Sequence, residues 1–176
     1  MRISIIGHTS TGKTTLAKRL SEALDIPHLH IDRLWFEAGG KDLPKGESPQ
    51  KDTVRTYIQE GVLPFIAQEA WVSDGFYPRV QQDIADRADV VLFLDIPLWK
   101  RLLNHWERIL PGDQRHPELS RMDEWRYFLE IVKRHVRTTP KLEAFARKNA
   151  SKLKRLHSRK EMDAYVEEVI HRGAVL

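Results

Sequence analysis

Apolar residues follow two rhythms along this chain. In the first, short unbroken runs stop at glycine or aspartate. Arg2 to Ile6 (RISII) stops at Gly7, Trp71 to Ser73 leads into Asp74-Gly75, and Val90 to Leu94 (VVLFL) stops at Asp95. Runs without polar alternation predict strands buried on both faces. His28 to Ile31, ending at Asp32, is a shorter strand candidate, and Leu153 to His157 is a weak last one. The second rhythm is helical. Leu16, Leu20 and Leu24 put one apolar stripe on a helix from Lys13 to Leu24. Thr53 to Glu69 reads as a helix with Gly61 and Pro64 as possible breaks, and Leu98 to Ile109 as one stopped by Pro111-Gly112. Met122 to Thr138 carries Trp125, Phe128, Leu129 and Val132 on one face, and Pro140 follows it. Leu142 to Asn149 reads as a further short helix and Lys160 to Arg172 as the closing one. Residues 37–51, rich in Gly, Pro and charge, read as a loop. Strands alternate with helices five times, which predicts an α/β fold: a parallel sheet covered on both faces, in three layers. No internal repeat or low-complexity segment interrupts it.

A length of 176 residues suits one domain. At that size a chain buries roughly 70% of its unfolded surface, so its core needs no covalent staple. The chain contains no cysteine, which excludes disulfides and thiolate metal sites. The first apolar run is too short for a secretion signal, and no stretch approaches the ~18 apolar residues of a membrane helix. The expectation is a soluble, cytoplasmic protein with no membrane partner. Charge is unevenly spread. Residues 1–96 hold 11 Lys/Arg against 14 Asp/Glu, residues 97–160 hold 17 against 7, and residues 161–176 hold 1 against 4. The basic third, net +10, faces nucleic acid, the phosphates of an active site, or simply water.

Gly7-His8-Thr9-Ser10-Thr11-Gly12-Lys13-Thr14 satisfies G-x-x-x-x-G-K-[ST], with a buried strand before it and an amphipathic helix after it. Gly7 and Gly12 permit backbone angles that a side chain forbids, so the loop can turn its N–H groups inward around phosphate oxygens. The helix starting near Lys13 aims its positive dipole end at the same anion. Lys13 supplies a compact charge for the β- and γ-phosphates, the Thr14 hydroxyl is placed for Mg²⁺, and Thr15 for the α-phosphate. The expected cofactors are ATP and Mg²⁺, held by residues 7–15.

Four segments carry a resemblance: GHTSTGKTTLAKRL, PHLHIDRLWF, WVSDGFYPR, and ADVVLFLDIP followed by a helix bearing Arg101 and Arg108. Together they resemble the nucleoside-monophosphate-kinase-like branch of P-loop proteins, and more closely the adenylate-kinase-related proteins often labelled DNA topology modulation proteins. The resemblance fades beyond residue 111. It implies a five-stranded parallel sheet of order 2-3-1-4-5 with a helical lid. It divides a single domain, 1–176, into a core (1–36, 71–97, 150–176), an acceptor-side insertion (37–70) and a lid (98–149). Tyr77 stands as an extra residue before Pro78-Arg79 relative to the adenylate kinase run, on the side where the acceptor binds.

Several residues follow as site candidates. Asp32, at the carboxyl end of the second strand, either orients an acceptor hydroxyl and takes its proton or caps the turn at Arg33-Leu34. Asp74 either holds a water on Mg²⁺ or forms a turn before Gly75. Arg79 matches the arginine that grips the acceptor phosphate in adenylate kinases. Asp95 reads as a cap for the next helix rather than a metal ligand. Arg101, Arg108, Arg115 and Arg121 fall in the lid, where a positioned arginine stabilises a moving phosphoryl group. Arg101 and Arg108, seven apart, share a helix face; Arg134 and Arg137 follow on the next helix. Trp35, Phe36 and Trp71 are either core or a stacking surface. His8 and His157 read as exposed, with His157-Ser158 placed where related kinases run beside adenine. No histidine shows zinc spacing with acidic partners. The expected activity is transfer of the γ-phosphate of Mg-ATP to a nucleotide or other small-molecule acceptor by Lys13, Asp32, Arg101 and Arg108. The alternatives are a nucleic-acid-associated NTP-binding protein and a nucleotide-dependent regulator.

Overall fold

Each apolar run of the first rhythm forms a strand. The computed structural model describes residues 1–40, 43, 48–109 and 121–173. The strands are β1 (Arg2–Gly7), β2 (His28–His30), β3 (Trp71–Asp74), β4 (Val90–Leu94) and β5 (Leu153–Leu156). The helices are α1 (Lys13–Leu24), α2 (Ile31–Glu37), α3 (Pro49–Ile66), α4 (Pro78–Arg87), α5 (Leu98–Ile109), α6 (Arg121–Lys148) and α7 (Arg159–Gly173). A short 3₁₀ turn, Ala150–Lys152, leads into β5. All strand pairs are parallel, in the order β2-β3-β1-β4-β5. The register pairs Ile5 with Asp74 and Gly7 with Leu94. Gly7, His30, Asp74 and Leu156 therefore reach one edge of the sheet, where open α/β sheets bind ligands.

Strand alternation sends side chains to two separate cores. Ile3, Ile5, Val72, Leu92 and Leu94 pack with Leu16, Ala17 and Leu20 of α1 and with Tyr165, Val166 and Val169 of α7. Ile6, Trp71, Val91 and Phe93 face the other way, onto Val54, Ile58 and Val62 of α3, Val80 and Ile84 of α4, and Leu142 and Ala146 of α6. Each such aliphatic or aromatic side chain contributes about 1.5–3 kcal/mol when fully buried. This explains the unbroken apolar runs, since neither strand face meets water. Among the described residues, no helix is long and apolar enough to cross a membrane.

The structure departs from sequence expectation at four helices. Residues 78–87, unassigned in the sequence, form α4, with Pro78 in the first turn, where a proline's missing N–H costs nothing. The helix expected from Thr53 starts earlier, at Pro49, and passes Gly61 without a break; Pro64 lies in its last turn. Ile31 opens α2 instead of closing β2. Two helices expected either side of Pro140 are one, α6, of 28 residues. Pro140 removes one rung of the helix ladder. Burial of Leu142 and Ala146 in the core outweighs that loss. Arg115 lies outside the described residues, as do the side chains of Arg108, Arg121, Trp125, Phe128 and Leu129.

Candidate active site at the carboxyl end of the sheet

The loop between β1 and α1 wraps tightly. Gly7 has φ +149°, and a Cβ there would stand 2.8 Å from the Leu94 carbonyl oxygen, so only glycine lets β4 lie this close. Gly12 caps α1 in a left-handed conformation with no side chain bonding the first-turn amides. Thr11 Oγ1 and Lys13 Nζ both donate to the His8 carbonyl oxygen at 2.9 Å, tying the loop to the first turn of α1. Ser10 is left-handed too, at φ 63°. Two residues of α5 hold it: Asn104 Nδ2 donates to the Ser10 carbonyl oxygen at 3.0 Å, and His105 Nδ1 lies 3.2 Å from Ser10 Oγ.

Beside the loop, Thr14 Oγ1 donates to Asp74 Oδ2 at 2.7 Å, and His28 Nε2 lies 2.6 Å from Asp74 Oδ1. His30 Nε2 stands 3.9 Å from Oδ2. Asp74 is fully buried. Burial opposes its charge, but bonds from His28 and Thr14 and the field of His30 prevail and hold its carboxyl below the usual range. A hydroxyl and an ionised carboxylate from adjacent elements form an oxygen donor set that suits Mg²⁺, which keeps several waters of its own. The loop, with its amides, uncapped helix end and Lys13, likewise suits a polyphosphate.

A cavity of about 140 Å³ opens between the loop and α6. Gly7, His8, Thr9 and Lys13 form its floor; Asp32, Phe76, Arg101, Ile131, Arg134 and Thr138 form its walls. Asp32 sits in the first turn of α2, exposed on the cavity side, and not at the capping position that the turn reading assigned it. Gly75, at φ +128°, makes room for it, since a Cβ there would meet Ile31 Cβ at 3.0 Å and Asp32 Oδ1 at 3.4 Å. Arg101 is buried, donating from Nε to the Ile96 carbonyl oxygen at 3.1 Å. Its guanidinium also bonds His135 Nδ1 at 2.9 Å.

Of the residues singled out in the sequence, the structure brings Gly7, His8, Thr9, Lys13, Asp32, Arg101 and Arg134 to one cavity, with Thr14 and Asp74 alongside. Thr15 is exposed on α1. Arg79, exposed in the first turn of α4, and Arg137, exposed on α6, are not among the cavity walls. Asp95 accepts from Arg155 Nη1 at 3.1 Å. Trp71 belongs to the core, its indole N–H donating to the Ile66 carbonyl oxygen. Trp35 and Phe36 meet edge to face, centroids 5.0 Å apart, with Trp35 packed against the core. His157 is exposed, as expected. His8 is not: it is 7% accessible, covered by Thr139 and His135 of α6. Sequence reasoning also missed Phe76, Asn104, His105, His135 and Thr139. Phe76 lay inside a quoted motif, but no local signal marked the other four.

No model of a known protein family matches the chain. Among curated proteins it is similar to the shikimate kinases of Synechococcus elongatus and of a second Synechococcus strain, each 26% identical over 121 residues. The match covers 66% of this chain and about 60% of the length of those relatives. Among solved structures it is similar to shikimate kinase from Bacteroides thetaiotaomicron (TM-score 0.54, 17% identity, covering 98% of this chain and 97% of the other). It is also similar to a gluconokinase from Sinorhizobium meliloti 1021 (0.54, 12%, 98% and 91%) and to shikimate kinase from Aquifex aeolicus (0.53, 18%, 100% and 99%). With the sheet order and the phosphate loop, these likenesses show the fold: the chain shares the P-loop kinase-like arrangement of a five-stranded parallel sheet that these solved structures have.

Proposed function

We propose that this protein transfers the γ-phosphate of Mg-ATP to a hydroxyl group of a small-molecule acceptor. The observation that carries this reading is the cavity in which Lys13, Asp32, Arg101 and Arg134 face a single space above the phosphate loop. The loop amides and Lys13 hold the polyphosphate, and Thr14 and Asp74 hold the cation. A Mg²⁺ ion held by these two residues would offset the charge of the phosphate oxygens. Asp32 orients the acceptor hydroxyl and takes its proton as the new oxygen–phosphorus bond forms and the bond to the β,γ-bridging oxygen breaks. Arg101 and Arg134 stabilise the negative charge spread over the moving phosphoryl group. Residues 98–149 serve as the lid, with the cavity under α6 excluding water that would otherwise hydrolyse ATP.

Two features favour a small hydroxyl-bearing acceptor over a nucleoside monophosphate. Asp32 lines the cavity, whereas Arg79, the match to the phosphate-gripping arginine of adenylate kinases, does not. The similar proteins named above include a gluconokinase as well as shikimate kinases. Part of the basic segment is also accounted for, since Arg101 and Arg134 serve the cavity and not an outer surface. ATP consumption measured against sugar acids, cyclic hydroxy acids, polyols, nucleosides and nucleoside monophosphates tests the reading. At least one hydroxyl compound is expected to stimulate turnover well above the rate without acceptor. Equal turnover with every compound and with none would sink it.

A further inference from the structure

Three elements distant in sequence meet in one chain of hydrogen bonds beneath the cavity. Arg101 of α5 presents Nη2 to His135 Nδ1 of α6 at 2.9 Å. A guanidinium can only donate, so Nδ1 carries a lone pair and the ring proton sits on Nε2. Thr139, one turn along α6, donates its hydroxyl hydrogen to the His135 carbonyl oxygen at 2.6 Å. Its oxygen lies 3.1 Å from His8 Nε2 in the phosphate loop and 3.1 Å from His135 Nδ1. With that single proton committed, Thr139 Oγ1 accepts from His8 Nε2–H. The His8 and His135 rings meet edge to face at 5.0 Å. Burial first, then the Arg101 charge, holds His135 below its ordinary range, with Asp95 opposing. Around His8 the charges are Arg101, His135 and Lys13 on one side and Glu143 on the other. Burial and the neighbouring cations prevail over Asp95 and Glu143 and favour neutral rings at both positions.

We propose that His135 is a positioning residue: its bare Nδ1 fixes the Arg101 guanidinium against the cavity, and Thr139 couples the same histidine to the phosphate loop through His8. The role rests on the phosphotransfer reading, because Arg101 matters only if charge develops in front of it. Without the imidazole, Arg101 keeps its bond to Ile96, which anchors Nε but leaves Nη2 free to swing. The effect then falls on the transition state and not on nucleotide binding.

Replacement of His135 by Leu and by Asn separates positioning from packing. Asn places an amide oxygen close to where Nδ1 stands; Leu fills the space without an acceptor. His135→Leu is expected to lower kcat roughly ten- to a hundredfold, the range for losing a hydrogen bond to a charged group. The KM for ATP should change by less than about threefold. His135→Asn is expected to recover most of the rate. Equal loss in both variants, or no loss in either, overturns the proposal. A second measurement needs no turnover. In the ligand-free protein, ¹⁵N NMR of the histidine rings should show His135 neutral with Nδ1 unprotonated, and Arg101→Leu should abolish that tautomer preference. A proton on Nδ1 in the unaltered protein overturns the assignment. If the protein transfers phosphate to no acceptor, the functional reading fails by itself, while the ring tautomer still decides whether His135 holds Arg101.

Discussion

The Thr14 hydroxyl points at Asp74, joining the first turn of α1 to the end of β3 at 2.7 Å. Asp74→Ala would leave both Thr14 and His28 without this buried acceptor, at about 1–3 kcal/mol for each stranded partner. A lower thermal midpoint and a higher Mg²⁺ requirement for nucleotide protection are expected. Asp74→Asn keeps an oxygen at the site but not its charge, so its midpoint should fall less while its Mg²⁺ requirement still rises. Thermal melts across a Mg²⁺ titration measure both. An unchanged Mg²⁺ requirement in Asp74→Asn would remove Asp74 from the cation site.

Lys13 is held against the loop by its bond to the His8 carbonyl oxygen, which aims the ammonium where phosphates would lie. Lys13→Ala is expected to weaken Mg-ATP binding by about 1.5–3 kcal/mol, or one to two decades in Kd. Calorimetric titration reads this directly. Retention of full affinity would dislodge the phosphate loop from its assigned role.

Asp32 is exposed on the cavity wall, so replacing it should hardly disturb folding, by about 0.5 kcal/mol at most. Asp32→Asn should lower acceptor-dependent kcat by about 10²–10⁴ with ATP affinity nearly unchanged. Steady-state kinetics with the best acceptor, alongside a thermal melt, test the pair of statements. A variant of undiminished rate would transfer the base role elsewhere.

His8 gives the fold a dependence on acidity. Burial, before the charges of Arg101, His135 and Lys13, pushes its imidazole from 6.5 down to about 3. Between these values the unfolded chain binds a proton that the folded one refuses, so stability declines as pH falls below 6.5, by up to ~1.4 kcal/mol per pH unit. Urea midpoints at about pH 7 and about pH 5 should differ more in the unaltered protein than in His8→Asn. Identical differences would mean that the ring is readily protonated in the fold.

These residues differ in how visible they were beforehand. The phosphate loop is contiguous, and its glycines, lysine and threonine do their work within nine positions, so local spacing sufficed to find it. The central strands were equally plain, because double burial leaves no polar residue inside the apolar run Val90–Leu94, whereas the short, half-buried β2 and β5 gave only weak signals. The two helices drawn around Pro140 illustrate the opposite case. A local rule about proline gave way to tertiary burial of Leu142 and Ala146, which no window of sequence displays. Asn104, His105, His135 and Thr139 were invisible for a related reason. Their partners Ser10 and His8 lie up to 131 residues away, and ordinary polar side chains on helices announce nothing until the fold brings them together.

One unbroken helix also constrains how the site can move. On one side of Pro140, α6 contributes Ile131, Arg134 and Thr138 to the cavity; on the other, Glu143 grips Arg155 of β5 through two bonds of 2.9 and 2.6 Å. One continuous helix therefore joins the cavity wall to the sheet. Leu142 and Ala146, buried beside the Glu143 clasp, tie that half of the helix to the core. The cavity wall is thus carried on an element whose other end is fastened to the last strand.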